Sequence, residues 1–357
     1  MKRSKLIRWS VIIIAIMLSL VAFIQIVARF KGQKEKVFFE SDISIEGLLL
    51  RPEGEGPHPA ILLLHGSGSN HQEYNKLYFK LHANAFLKHG FAVLVYTKRG
   101  SGNNNVDYGN FTYQQLLEDA RAALDFIRDQ KDIDQQNVGI MGLSESGWFT
   151  PELAYLDGDI RFIINRVSSP FSHTKTVIHE VRMDALDEGF TEAEILEHII
   201  PLTQRIWQFY IDVYKNLSIA NGAERDSINA LLAVANKHHR LSNWFTYDSL
   251  SDYDSLRYTS RGRRYSYDPL PYLKEIKSPM LYVMGEKDKN MPTAQIVAFL
   301  EGFRQEENKN IEIKVYEGAS HYLYKYGLED GPFEGWLYQD GYLELLTSWA
   351  EQQLTVD

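Results

Sequence analysis

A serine, an aspartate and a histidine, each placed just past a short apolar run, carry the chemistry of this sequence. Ser144 closes the run Val138-Gly139-Ile140-Met141-Gly142-Leu143 and is followed by Glu145-Ser146-Gly147-Trp148. A nucleophilic serine sits on a sharp strand-to-helix turn, which tolerates little bulk two residues before and two residues after it. Gly142 meets the first demand, while Ser146, with Gly147 behind it, meets the second imperfectly, so G-x-S-x-G is approached without being matched. A hydroxyl is a weak nucleophile at neutral pH and needs a histidine to take its proton and a carboxylate to hold that imidazole in the right tautomer. Asp288 follows Met284-Gly285-Glu286-Lys287, and His321 follows Tyr316-Glu317-Gly318-Ala319-Ser320. Ser146 is the weaker nucleophile, because Ser144 and Trp148 flank it where small residues are wanted.

The surrounding elements explain how residues so far apart could meet. Val37–Glu40 and Ile43–Arg51 read as a hairpin. Ala60–Leu64 and Phe91–Tyr96 are continuous apolar runs, the mark of parallel strands covered on both faces. Helices at about Tyr74–His89 and Tyr113–Gln130, the strand Val138–Leu143, a helix after Ser144 and the strand Phe162–Val167 continue the alternation. It resumes with Met280–Met284, a helix at about Thr293–Phe303, the strand Ile311–Tyr316 and a last helix at about Gly335–Gln352. This order specifies an α/β domain with a mostly parallel central sheet and helices on both faces. In such a sheet the loops at the strands' carboxyl ends face one edge. Ser144, Asp288 and His321 can therefore converge. Between residues 171 and 265 the alternation stops, and aromatics with helical spacing mark a helical cap inserted into a core of residues 37–170 and 266–357. Trp207, Tyr210, Trp244, Phe245 and Tyr247 are expected mainly to pack cap helices together.

The chain order serine, acid, histidine characterises the α/β-hydrolase arrangement, and residues 37–355 resemble that family. Leu64-His65-Gly66-Ser67-Gly68, Tyr96-Thr97-Lys98-Arg99-Gly100-Ser101-Gly102 and Tyr267-Asp268-Pro269 extend the likeness to its dienelactone-hydrolase and acyl-transferase or thioesterase-like branch. The resemblance implies an α/β-hydrolase fold and catalysis by Ser144, Asp288 and His321, with an oxyanion hole made by the backbone N–H groups of Ser67 and Glu145. The implied substrate is a small molecule with a carboxylic ester or thioester. A serine peptidase or amidase on the same fold and a non-catalytic binding protein are the rival readings. The Glu145 carboxylate is expected to point away from the oxyanion, toward a helix N-terminus. His65 is expected to bond within its loop and Arg99 to pin a loop through an ion pair.

Composition narrows the field further. The 357 residues carry a net charge of −9 and no cysteine, which argues against a nucleic-acid surface and excludes disulfides and thiolate metal sites. His179-Glu180-Val181-Arg182-Met183 lacks the second histidine of a zinc-protease helix, and neither a dinucleotide fingerprint nor a phosphate loop is present. No metal and no cofactor are expected. Trp9–Ala28 contains no charge and would span roughly 30 Å as a helix, about the hydrocarbon thickness of a bilayer. Residues 1–36 thus read as one transmembrane anchor with basic flanks, placing the protein in the cell membrane as a single-pass protein with its catalytic domain outside the cytoplasm.

Overall fold

The structure, a computed structural model, describes residues 9–19, 30–68, 77–101, 111–216, 222–235, 237, 262–307, 309–325 and 338–355. Its strands are β1 (Gln33–Glu40), β2 (Ser44–Arg51), β3 (His58–Leu64), β4 (Ala92–Tyr96), β5 (Ile133–Leu143), β6 (Ile163–Arg166), β7 (Met280–Gly285) and β8 (Ile311–Tyr316). They form one sheet in the order β1-β2-β4-β3-β5-β6-β7-β8. β1 and β2 pair antiparallel, as do β2 and β4; every pairing from β4 to β8 is parallel.

The helices are α1 (residues 9–19), α2 (Leu77–Lys88), α3 (Tyr113–Arg128), α4 (Ser146–Asp157), α5 (His173–Asp187), α6 (Glu192–Glu194), α7 (Ile200–Asn216), α8 (Gly222–Ala235), α9 (Leu270–Glu275), α10 (Thr293–Glu306) and α11 (Tyr342–Gln352). Ile61 and Leu63 of β3 face α2 and α11, whereas Leu62 and Leu64 belong to the core beneath α3, α4 and α10. Alternate side chains point to opposite faces of a strand, so a strand buried on both faces must be apolar throughout. That is why β3 and β4 read as unbroken apolar runs. α3 opens on a capping box in which Thr112 and Gln115 exchange side-chain and backbone bonds, and it buries the stripe Leu116, Ala120, Ala123, Leu124 and Ile127.

Element limits differ from expectation where burial is partial. β5 begins at Ile133, because its polar start Asp134-Gln135-Gln136 is solvent-facing and carries no apolar signal. β1 likewise extends back to Gln33 as an edge strand, with only Val37 and Phe39 buried. The last helix begins at Tyr342; residues 335–337 lie outside those described.

Between β6 and β7 the described chain is helical. α6 continues through a π-helical turn at Ile195–Ile199 into α7. Trp207 and Tyr210 of α7 are buried, with ring centroids 5.3 and 5.7 Å from that of Tyr265, so both serve packing. Trp244, Phe245 and Tyr247 lie outside the described residues. Only part of the expected membrane span is among the described residues. Residues 9–19 form α1, whose Trp9, Ile13, Ile16 and Leu18 are exposed, while residues 20–28 of the span lie outside the described residues. No described helix is long and apolar enough to cross a membrane.

Candidate active site

Ser144 lies in the tight turn between β5 and α4, with φ +49°. A non-glycine residue held in this left-handed region costs about 1–3 kcal/mol and persists only when its surroundings fix it. Three contacts do so. The Ser144 N–H donates to the Arg166 carbonyl at the end of β6 at 3.0 Å. The Ser146 hydroxyl accepts from the Leu143 N–H at 2.7 Å and donates to the Leu143 carbonyl at 3.0 Å, which staples the turn shut. Close packing does the rest: a Cβ on Gly142 would come within 2.7 Å of Thr150, and one on Gly147 within 2.0 Å of Ser168. The glycine that the turn demands on its far side is therefore Gly147, and Ser146 contributes hydrogen bonds in place of smallness.

Loops after β7 and β8 bring an acid and an imidazole to the serine. His321 Nε2 is 3.1 Å from Ser144 Oγ, and His321 Nδ1 is 2.8 and 3.0 Å from the two carboxylate oxygens of Asp288. The carboxylate only accepts, so Nδ1 carries the proton and the Nε2 lone pair faces the serine hydroxyl. Asp288 is itself fixed by the N–H groups of Asn290 and Met291, at 2.8 and 3.0 Å. The two loops are sewn together by backbone bonds from Glu286 N–H to the Tyr316 carbonyl and from Lys287 N–H to the Ala319 carbonyl. Helix α5 closes over the acid loop. His179 Nε2 donates to the Asp288 carbonyl at 3.3 Å, and the Asn290 side chain donates to Glu180 at 2.8 Å. Burial, with the neighbouring Asp184 and Asp288 adding to it, pushes the Glu180 carboxyl up to about 8. Burial lowers the His179 imidazole. Both are neutral near pH 7.

The opposite side of the serine is built from ions. Glu145 does not turn its carboxylate toward the helix N-terminus as expected; the residue is 3% exposed, and its carboxylate is held between Lys98 Nζ and Arg264 Nη2, the latter at 2.7 Å. Burial pushes this carboxyl up, but Lys98 and Arg264 outweigh it and hold it below the ordinary value. Lys98 Nζ also donates to the Gly66 carbonyl at 2.8 Å. The next residue, Ser67, is exposed in the bend after β3.

Residues 43–321 match the X-Pro dipeptidyl-peptidase (S15) family. The chain belongs to that family. Among curated relatives, the esterase EstD of Thermotoga maritima is 36% identical over 125 residues, which is 33% of this chain and 29% of that protein. The thiohydrolase aneE of Aspergillus aculeatus is 29% identical over 140 residues, 38% of this chain and 43% of that protein. The chain thus matches less than half the length of these relatives. A solved esterase from Pyrococcus furiosus superposes with a TM-score of 0.53 at 13% identity, covering 91% of this chain and 92% of that one, and shows the shared fold. The fold is that of the α/β-hydrolases.

Three other polar residues of this S15 chain are buried near the site. Arg99 forms bidentate bonds with the buried Asp119 at 2.6 and 3.0 Å and pairs with Asp42, so it pins the loop after β4. His65 departs from expectation. It is buried edge-on against Tyr96, neither ring nitrogen has a hydrogen-bond partner among the described residues, and burial, reinforced by Lys98, holds it neutral. Arg166, 1% exposed, donates to the Tyr342 hydroxyl and the Tyr322 carbonyl, both at 2.7 Å, and lies against the rings of Tyr78, Tyr338 and Tyr342. Among the described residues no group of three or more His, Asp or Glu side chains is placed to hold a metal. Lys98, Arg166, Glu180 and Arg264 escaped sequence reasoning. The usable signal at Lys98 and Arg166 is a cation at or just past the end of an apolar strand, where a charge requires partners.

Proposed function

We propose that this S15-family chain is a serine hydrolase that cleaves a carboxylic ester or thioester of a small molecule through an acyl-enzyme on Ser144. The observation supporting this reading is the unbroken hydrogen-bond chain from Ser144 Oγ through His321 to Asp288. Ser144 Oγ attacks the substrate carbonyl carbon while its proton passes to His321 Nε2, and the carbonyl electron pair moves to oxygen. The N–H groups of Ser67 and Glu145 receive that oxyanion. Collapse of the tetrahedral intermediate expels the alcohol or thiol, which takes the proton from Nε2. Water then repeats the sequence on the acyl-enzyme, with Asp288 holding the imidazole throughout. The esterase and thiohydrolase names of the matched relatives favour an acyl oxygen or sulfur leaving group.

Cleavage of peptide amides is the second reading, favoured by the family's own description. Matched p-nitrophenyl esters, thioesters and peptide p-nitroanilides separate the two. The proposal predicts higher kcat/KM on esters and thioesters, with turnover lost in Ser144→Ala; faster anilide cleavage overturns the substrate assignment. Turnover that survives Ser144→Ala overturns the mechanism, and absence of turnover on all three classes supports a binding protein.

We further propose that Trp9–Ala28 anchors the protein in the cell membrane with the catalytic domain outside the cytoplasm. The uncharged length of the segment and the exposed apolar side chains of α1 support this. Protease treatment of intact cells should remove the domain; a protected domain contradicts the orientation.

A further inference from the structure

The cluster of Lys98, Glu145 and Arg264 has no part in the proton transfers, yet it is buried immediately beside them. Side-chain exposure is 0% for Lys98 and 5% for Glu145. Desolvating two charges is costly, and an apolar pair of the same volume is often as stable or more so. A packing role alone leaves the ions unexplained. What distinguishes Lys98 is its second bond, to the Gly66 carbonyl.

We propose that Lys98 is the positioning residue of the oxyanion hole, fixing through its bonds to the Gly66 carbonyl and the Glu145 carboxylate the two backbone segments that donate to the oxyanion. The inference rests on the reading of Ser67 and Glu145 as those donors. Gly66 C=O and Ser67 N–H belong to one planar trans peptide and point in opposite directions. An ammonium that draws the carbonyl inward therefore aims the N–H outward, to the side on which Ser67 is exposed. A charged partner on the carbonyl also polarises the peptide and strengthens its N–H as a donor. The same ammonium holds the side chain of Glu145, whose own N–H directly follows the nucleophile. One cation thus sets both donors in a common frame before any charge develops. Arg264, in the helical turn of residues 262–265 at the end of the cap, grips the other Glu145 oxygen, so the frame is tied to the cap as well.

The test compares wild type, Lys98→Met, Lys98→Arg and the double variant Lys98→Met/Glu145→Gln by ester kinetics, thermal unfolding and binding of a trifluoromethyl ketone that adds to Ser144. Loss of one oxyanion donor typically slows catalysis about 10²–10³-fold. Lys98→Met should lower kcat about 10²-fold with KM within about threefold, and ketone affinity should fall in step with kcat/KM. Lys98→Arg should recover part of the loss. The double variant removes the unpaired carboxylate and should regain thermal stability without regaining kcat. The proposal is overturned if Lys98→Met keeps kcat within about threefold of wild type, or if the double variant recovers kcat along with stability. A wild type that binds the ketone no better than Ser144→Ala does would sink the acyl-enzyme reading itself, and with it the role of Lys98.

Discussion

The two sides of Ser144 are held by opposite means. On one side, Asp288 is fixed by backbone N–H groups, His321 is held by Asp288, and the acid loop is covered by His179 and a protonated Glu180, groups that are neutral near pH 7. On the other, the Gly66 carbonyl and the Glu145 carboxylate are held by the cations Lys98 and Arg264. The difference follows from what each side has to do. In the proposed mechanism the imidazole gains and loses a proton in every cycle, and beyond the Asp288 carboxylate that orients it, His179 and Glu180 of the cover are neutral and leave its pKa in the working range. A backbone amide changes no charge, so strong ionic ties can immobilise it without disturbing its chemistry. Besides the Asp288 carboxylate, Arg166 is a buried ion on the acid–base side. It is kept behind Tyr322 and spread over three tyrosine rings.

The largest expected effect breaks the acid–base side outright. Asp288→Asn keeps the shape but presents a donor where Nδ1–H needs an acceptor, so the imidazole takes the wrong tautomer; kcat should fall about 10⁴-fold while thermal unfolding shifts little. A loss smaller than about tenfold would mean that another group orients His321. Arg166→Met comes next. It takes a donor from the Tyr322 carbonyl and from the Tyr342 hydroxyl, which keeps its bond to His82, at a cost of about 1–3 kcal/mol, and it releases the residue beside His321. Unfolding should become easier by about 2 kcal/mol and kcat should fall about tenfold, as a small misplacement of the base allows.

Glu180 sharpens the contrast through pH. Its folded pKa of about 8 lies above its ordinary value of 4.5, so the protonated form favours the fold. That contribution is complete below about pH 4.5 and lost as pH rises through about 8. Glu180→Gln keeps an acceptor for Asn290 and cannot ionise. It should melt with wild type at pH 4.5 and about 2 °C or more above it at pH 9. Equal melting temperatures at pH 9 would remove the neutral cover from the account. Ser146→Gly has the smallest expected effect. It deletes the two bonds to Leu143, costing about 1–2 kcal/mol of stability, with kcat within about threefold, because Gly147 still allows the close approach of α4. A hundredfold fall in kcat would make the Ser146 staple part of nucleophile presentation.

The acid–base side was legible in the sequence, and the ionic side was not. Ser144, Asp288 and His321 each follow a strand whose residues are apolar because both sheet faces are covered, so position in the pattern located them at one edge. Strand limits failed where one face meets solvent, at Gln33–Lys36 and Ile133–Asn137, since polar residues there obey no burial pattern. Ion partners escaped for a different reason. Lys98 and Glu145 are 47 residues apart, and Glu145 and Arg264 are 119 apart; periodicity encodes which face a residue occupies, not which distant charge meets it there. The local turn points the Glu145 carboxylate to a helix N-terminus, because a partner as distant in sequence as Lys98 leaves no mark on that turn. The membrane span was read from composition alone, and its described portion ends at residue 19.

The claim at the centre of this account is that a substrate acyl group passes through Ser144. Intact-protein mass spectrometry after rapid quench with a slowly deacylated p-nitrophenyl ester tests it most directly. Wild type should gain the mass of one acyl group, located by peptide mapping to Ser144, and Ser144→Ala should gain none. An equal gain in Ser144→Ala, or steady turnover by wild type with no adduct at any quench time, would contradict it.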